Sequence, residues 1–148
     1  MLAVPDPLRR EHELMRDELA RASREPGPVG DCAKRLMRIL KPHIDKEETF
    51  ALPPLGMLAQ AVRGIRSPED EAAVIMAWRL REDLDNMLAE HRVIGAALEE
   101  LLAAAKAERR VEYAELAARM LHHMQTEEQV LYPATILVGD YLRGKRRT

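Results

Sequence analysis

Cysteine is nearly absent from this chain of 148 residues: Cys32 stands alone. No intrachain disulfide can form, and a thiolate metal cluster is excluded. An excess of charge of one sign is missing too. Lys and Arg number 23 against 25 Asp and Glu, which gives no electrostatic reason to expect nucleic acid or a membrane surface as partner. No apolar run approaches the roughly 20 residues that cross a bilayer. The opening "MLAVPDPLRREHELM" reaches Pro and charge too early for a signal peptide, so a soluble, cytoplasmic protein is expected. Aromatic residues make up only 3%. β-branched residues are sparse and do not alternate with polar ones, which argues against strands.

What is present is a globular mixture, 47% apolar and 32% charged, rich in the helix formers Ala, Leu, Glu and Arg. The length suits one domain, residues 1–148. Leu8, His12, Met15 and Leu19 recur at helical spacing, predicting a first helix that ends before "REPGPVGD". Asp31 is read as the cap of a second helix with Leu36, Ile39 or Leu40, His43, Glu47 and Phe50 inward. Pro42 is expected to kink that helix and Pro53-Pro54 to end it. "LGMLAQAVRGIR" reads as a connector. In "SPEDEAA", Ser67 as cap and Pro68 at the first turn open a third helix. It runs to about Ala107, long enough to be bent or broken. The fourth spans about Val111 to Leu131 with Leu116, Met120, His123, Glu127 and Val130 inward, and "ATILVGDYL" forms a short terminal segment. The basic ending "RGKRRT" reads as a solvated tail. The expected fold is all-α: an up-down-up-down antiparallel four-helix bundle with a connector between helices 2 and 3 and a short C-terminal helix.

One pattern is written twice. "HIDKEETFALP" starts at His43 and "HMQTEEQVLYP" at His123, while "EH" occurs at Glu11-His12 and again at Glu90-His91. The two EH pairs lie 79 residues apart, and the His, Glu and Pro of the longer pattern each lie 80 apart. A near-constant offset indicates a duplicated helical hairpin, about residues 8–53 and 84–133.

Residues four apart share a helix face, so His43 points with Glu47 and His123 with Glu127. Counting 1.5 Å per residue from the turns puts His12, His43, His91 and His123 near one level, one on each helix. Four imidazoles and two carboxylates in an apolar interior are costly unless something binds them. A metal pair answers that cost, with carboxylates bridging and imidazoles terminal, in a manner suited to iron, zinc or copper. Each piece alone has a plainer reading, a packed core histidine or a helix-surface pair; the matched repeat positions favour metal. His122 lies about 100° round the helix from His123 and is not expected to be a ligand. Glu48 and Glu128 read as solvated or as acceptors behind the ligands, and Met15, Met87, Met120 and Met124 as core.

These motifs resemble the hemerythrin-like, HHE cation-binding family, from Glu11 to about Pro133. The resemblance implies a four-helix bundle holding two non-haem iron ions, carboxylate-bridged and with an oxo or hydroxo bridge. By matching position, His12, His43, Glu47, His91, His123 and Glu127 would be the metal ligands, with Glu47 and Glu127 bridging. Oxygen-carrying relatives have a fifth histidine one turn from the third; here those positions are Met87 and Gly95. The four-His, two-Glu set is similar to bacterial family members linked to nitric oxide handling, peroxide removal and iron-centre repair, although the N-terminal cysteine of some repair proteins is missing. Three functions stay open. One is reversible binding of a small diatomic or peroxide ligand, for which Gly95 would leave room. Another is a di-iron oxidoreductase acting on peroxide or NO. The third is a metal-free or zinc-bound helical interaction module.

Overall fold

The protein is described by a computed structural model, in which residues 2–146 are placed. All regular structure among the described residues is helical, and none of these helices is long and apolar enough to cross a membrane. The main elements are α1 (Asp6–Ser23), α2 (Pro28–Lys46), a short α3 (Leu58–Ala61), α4 (Asp70–Ala107), α5 (Val111–Thr126) and α6 (Tyr132–Arg146). Two single π turns, π1 (Glu47–Ala51) and π2 (Glu127–Leu131), continue α2 and α5, and a 3₁₀ turn covers Pro53–Met57.

The spine is α4, 38 residues without a break and about 57 Å long at 1.5 Å per residue. It touches three apolar clusters in succession. Ala73 packs with Met57, Ala61, Val138 and Leu142. Leu80 and Met87 pack with Phe50, Ala51 and Tyr132. Ile94, Leu98 and Leu101 join Leu19, Leu36, Leu40 and Leu116 in the largest cluster, shared with α1, α2 and α5. His91 falls on α4 between the second and third clusters. Continuous burial along one helix face explains why the helix is not broken. The start of α4 is held reciprocally: Glu69 N–H donates to Ser67 Oγ at 3.2 Å, and Ser67 N–H donates to Asp70 Oδ2 at 3.2 Å.

One pole gathers two turns. Arg110 forks onto Glu25 at 2.6 and 2.9 Å, Tyr113 donates to the same carboxylate at 3.2 Å, and Val29 N–H donates to Glu108 at 3.0 Å. The C-terminal ends of α1 and α4 therefore meet the N-terminal starts of α2 and α5. The α1–α2 turn requires glycine twice. Gly27 sits at φ 79°, and a Cβ on Gly30 would lie 1.8 Å from the Glu25 carbonyl oxygen.

Two expectations need correction. The cap of α2 is Gly27, with Pro28 in the first turn, so Asp31 lies inside the helix. Pro42 lies inside α2, which runs on to Lys46. Val130 is 55% exposed rather than inward; the π turn adds a residue to that revolution and rotates it off the inner face. The terminal "ATILVGDYL" belongs to α6, a helix of 15 residues packed along α4. Of the expected solvated tail, Arg143 and Gly144 are exposed, and its last two residues lie outside the described residues.

Candidate metal centre

The register set up by α1, α2, α4 and α5 brings His12, His43, Glu47, His91, His123 and Glu127 together, each only 1% to 7% exposed. The side chains form two donor groups that share Glu127. His43, Glu47, His91 and Glu127 make one, and His12, His123 and Glu127 the other; within each group the donor atoms lie within 4.8 Å of one another. Each group draws one histidine from each half of the repeat.

The hydrogen-bond pattern fixes which nitrogen faces inward. His43 Nδ1 lies 2.7 Å from Glu90, His91 Nδ1 2.9 Å from Glu128, and His123 Nδ1 2.7 Å from Glu11. A carboxylate only accepts, so Nδ1 carries the hydrogen and donates outward. The lone pair is left on Nε2, the arrangement found behind metal-bound histidines. Inside the cluster the Nε2 atoms meet in pairs, His43 with His91 at 3.0 Å and His12 with His123 at 3.2 Å. At His43–His91 two lone pairs face each other and repel unless a positive charge, proton or metal, lies against both. At His12, whose Nδ1 has no partner, Nε2 can carry the hydrogen and donate to His123 until a metal replaces it.

Without metal that charge is a proton. Burial pulls the His91 and His123 imidazoles down, but the hydrogen bonds they donate to Glu127, with Glu128 and Glu11 behind, win and hold both above the usual range. His43 is lowered, chiefly by burial. The carboxyl pair splits: burial and the neighbouring Glu127 raise Glu47, whereas Glu127, despite burial, is held low by hydrogen bonds from Glu47, His12, His123 and His91. A cation entering here would displace protons from nitrogen and oxygen donors already aimed at it. The donor set fits a metal pair by this test.

Tyr132 was not foreseen. It is fully buried, and its hydroxyl donates to Glu47 Oε2 at 2.7 Å while lying 3.2 Å from His91 Nε2 and 3.4 Å from His43 Nε2. On a straight α-helix a residue five beyond Glu127 lies about 140° away. The π turn, closed by Tyr132 N–H bonding to Glu127 O, brings residues five apart nearly into line. Two acceptors were missed as well: Glu11 and Glu90, each read only as the companion of its own histidine, serve instead the histidine of a neighbouring helix. Glu90 is itself anchored by Lys46 at 2.6 Å.

Glu128 accepts from His91, whereas Glu48 pairs with Arg16 at 3.1 Å. His122 is exposed and takes no part in either donor group. Gly95 lies against Met124, 3.6 Å from where its Cβ would be, and does not line the cavity beside the centre. That cavity, about 30 Å³, is bounded by His12, His43, Glu47, His123 and Glu127, by Arg16, and by apolar side chains that include Leu19 and Leu40. It has room for about one water-sized molecule.

The family model described as Hemerythrin HHE cation binding domain matches residues 3–135. Comparison with curated proteins and with solved structures finds no match.

Proposed function

From the premise that the chain belongs to the hemerythrin HHE cation-binding domain family, we propose that it is a cytoplasmic non-haem di-iron protein that binds or handles a small oxidant, O₂, NO or peroxide. The fold that holds its centre is an up-down-up-down antiparallel bundle, a reading supported by the helix ends that meet at the Glu25–Arg110 pole. The observation that carries the function is the pair of Nε2···Nε2 approaches at 3.0 and 3.2 Å, with three of the four Nδ1 atoms committed to carboxylates. His43, His91, Glu47 and Glu127 would hold one ion, and His12, His123 and Glu127 the other, with Glu47 reaching toward His12 at 3.8 Å. Iron bound there supplies a redox couple and positions for a small ligand. The protein's own part is to keep water out with Leu19, Leu40, Ile94 and Leu98, and to hold the donors in place. The small volume beside His12 and His123 limits a guest to a few atoms.

Turnover of peroxide or NO is the second reading, and Tyr132 favours it. Its buried hydroxyl, 2.7 Å from Glu47, orients a carboxyl that burial and Glu127 raise, and a carboxyl that holds a proton beside the centre suits turnover. The test is the metal content of freshly purified protein, with absorption spectra after anaerobic reduction and return to air. The expected result is about two irons per chain, as in di-iron bundles, with near-ultraviolet bands that reappear in air. Bands that reverse under vacuum indicate binding, and bands that decay while peroxide is consumed indicate an enzyme. A chain that takes up no iron defeats the proposal.

A further inference from the structure

The repeat sets each residue of one half against a counterpart in the other, so any departure from symmetry stands out. His91 and His12 are counterparts, as are Glu128 and Glu48. In the second half the relation behind the histidine is satisfied: His91 Nδ1 donates to Glu128 at 2.9 Å. In the first half it is broken. His12 Nδ1 lies 3.8 Å from Glu48, too far for a hydrogen bond, and finds no other partner although it is buried.

The cause is one residue. Arg16, one turn after His12, holds Glu48 at 3.1 Å, while one turn after His91 stands Gly95, which has no side chain to compete for Glu128. Two independent contrasts point the same way. Glu90, behind His43, is fixed by Lys46 at 2.6 Å, whereas Glu11, behind His123, is 48% exposed at its side chain and its own contact is that histidine. The group around His43 and His91 also gathers four donors with Tyr132 beside them, against three around His12 and His123.

Resting on the di-metal reading above, we infer that the two metal positions are unequal: the His43–Glu47–His91–Glu127 position binds its ion more tightly, and Arg16, by holding Glu48 away from His12, makes the other position the weaker one. A metal ion on His12 Nε2 requires the hydrogen on Nδ1, and that N–H then lies in a dry interior with no acceptor. Arg16 is a positioning residue here. It acts through Glu48 on a ligand and touches no metal donor itself.

The experiment is stepwise release of Co²⁺ from the loaded full-length chain into a competing chelator, followed by the cobalt visible bands. Two steps are expected, separated by about tenfold or more, the usual effect of an outer-shell partner on metal affinity. Arg16→Ala frees Glu48 for His12 and tightens the weaker step by about tenfold without moving the tighter one. The side chain is 46% exposed and alanine suits a helix interior, so folding is retained. A second pair of variants reads the same asymmetry without touching Arg16. Glu128→Gln loosens the tighter step by about tenfold, whereas Glu48→Gln, whose parent already ignores His12, leaves both steps within about twofold. Two ions released together, or an Arg16→Ala chain with an unchanged gap, overturn the inference and leave the di-metal reading standing. A chain that never loads Co²⁺ overturns both.

Discussion

At the scale of single residues the centre is a balance of protons awaiting displacement, and Tyr132 is its least expected member. Tyr132→Phe removes the hydroxyl that donates to Glu47 and leaves a buried carboxyl oxygen short of a partner. The metal-free protein should lose about 1–3 kcal/mol of stability in urea denaturation. The sign of the pH effect follows from the imidazoles. His91 and His123 are held above the ordinary value of 6.5, so in the metal-free chain they add stability that is complete below about pH 6.5 and lost as pH rises through their raised values. Metal must displace those same protons, so its affinity moves the other way and falls with acid, beginning above about pH 6.5. The gap between metal-loaded and chelated melting temperatures should therefore be wider at pH 8 than at pH 6. A gap that narrows with rising pH would contradict this proton count. The six donors were legible in the sequence because His-x3-Glu is a one-turn signal that needs only helical phase. Tyr132 was hidden because the phase itself changes between Glu127 and Tyr132.

The two π turns mark the limit of what periodicity can see at the scale of elements. Each begins at a glutamate of the buried donor cluster, Glu47 or Glu127, and the second re-aims the next revolution, turning Val130 outward and Tyr132 inward. The helix starts were partly readable, since the Ser67–Asp70 exchange is written in residue types. The continuity of α2 through Pro42 and of α4 over its whole length depends on burial that no local pattern records. Close packing of α4 on α6 makes its own prediction. A Cβ on Gly139 would lie 2.3 Å from Ala77 Cβ, so Gly139→Ala should cost about 1–3 kcal/mol through overpacking. Adding Ala77→Gly to that chain should recover part of the loss, less the roughly 1 kcal/mol that glycine costs a helix interior. Thermal melts of the single and double variants check both statements.

Stability and ligation are one equilibrium for the molecule as a whole. Metal that binds only the folded chain stabilises it, by about 2.7 kcal/mol for each position held at a hundred times its dissociation constant. Chelation should lower the urea midpoint accordingly, and a midpoint unmoved by chelator would mean that the cluster is a hydrogen-bonded network only. The all-helical fold was legible from composition and spacing, and the repeat gave the level at which the histidines meet. How the two halves interlock was not, because contacts such as His43–His91 and His12–His123 join segments with no local relation. That interlock bears on ancestry. A lone hairpin could assemble both positions only by pairing with its own copy, and two-fold symmetry would then force the positions to be identical. With both hairpins in one chain each copy is free to drift separately, and the difference between Arg16 and Gly95 is a change that a symmetric dimer could never have carried on one side alone.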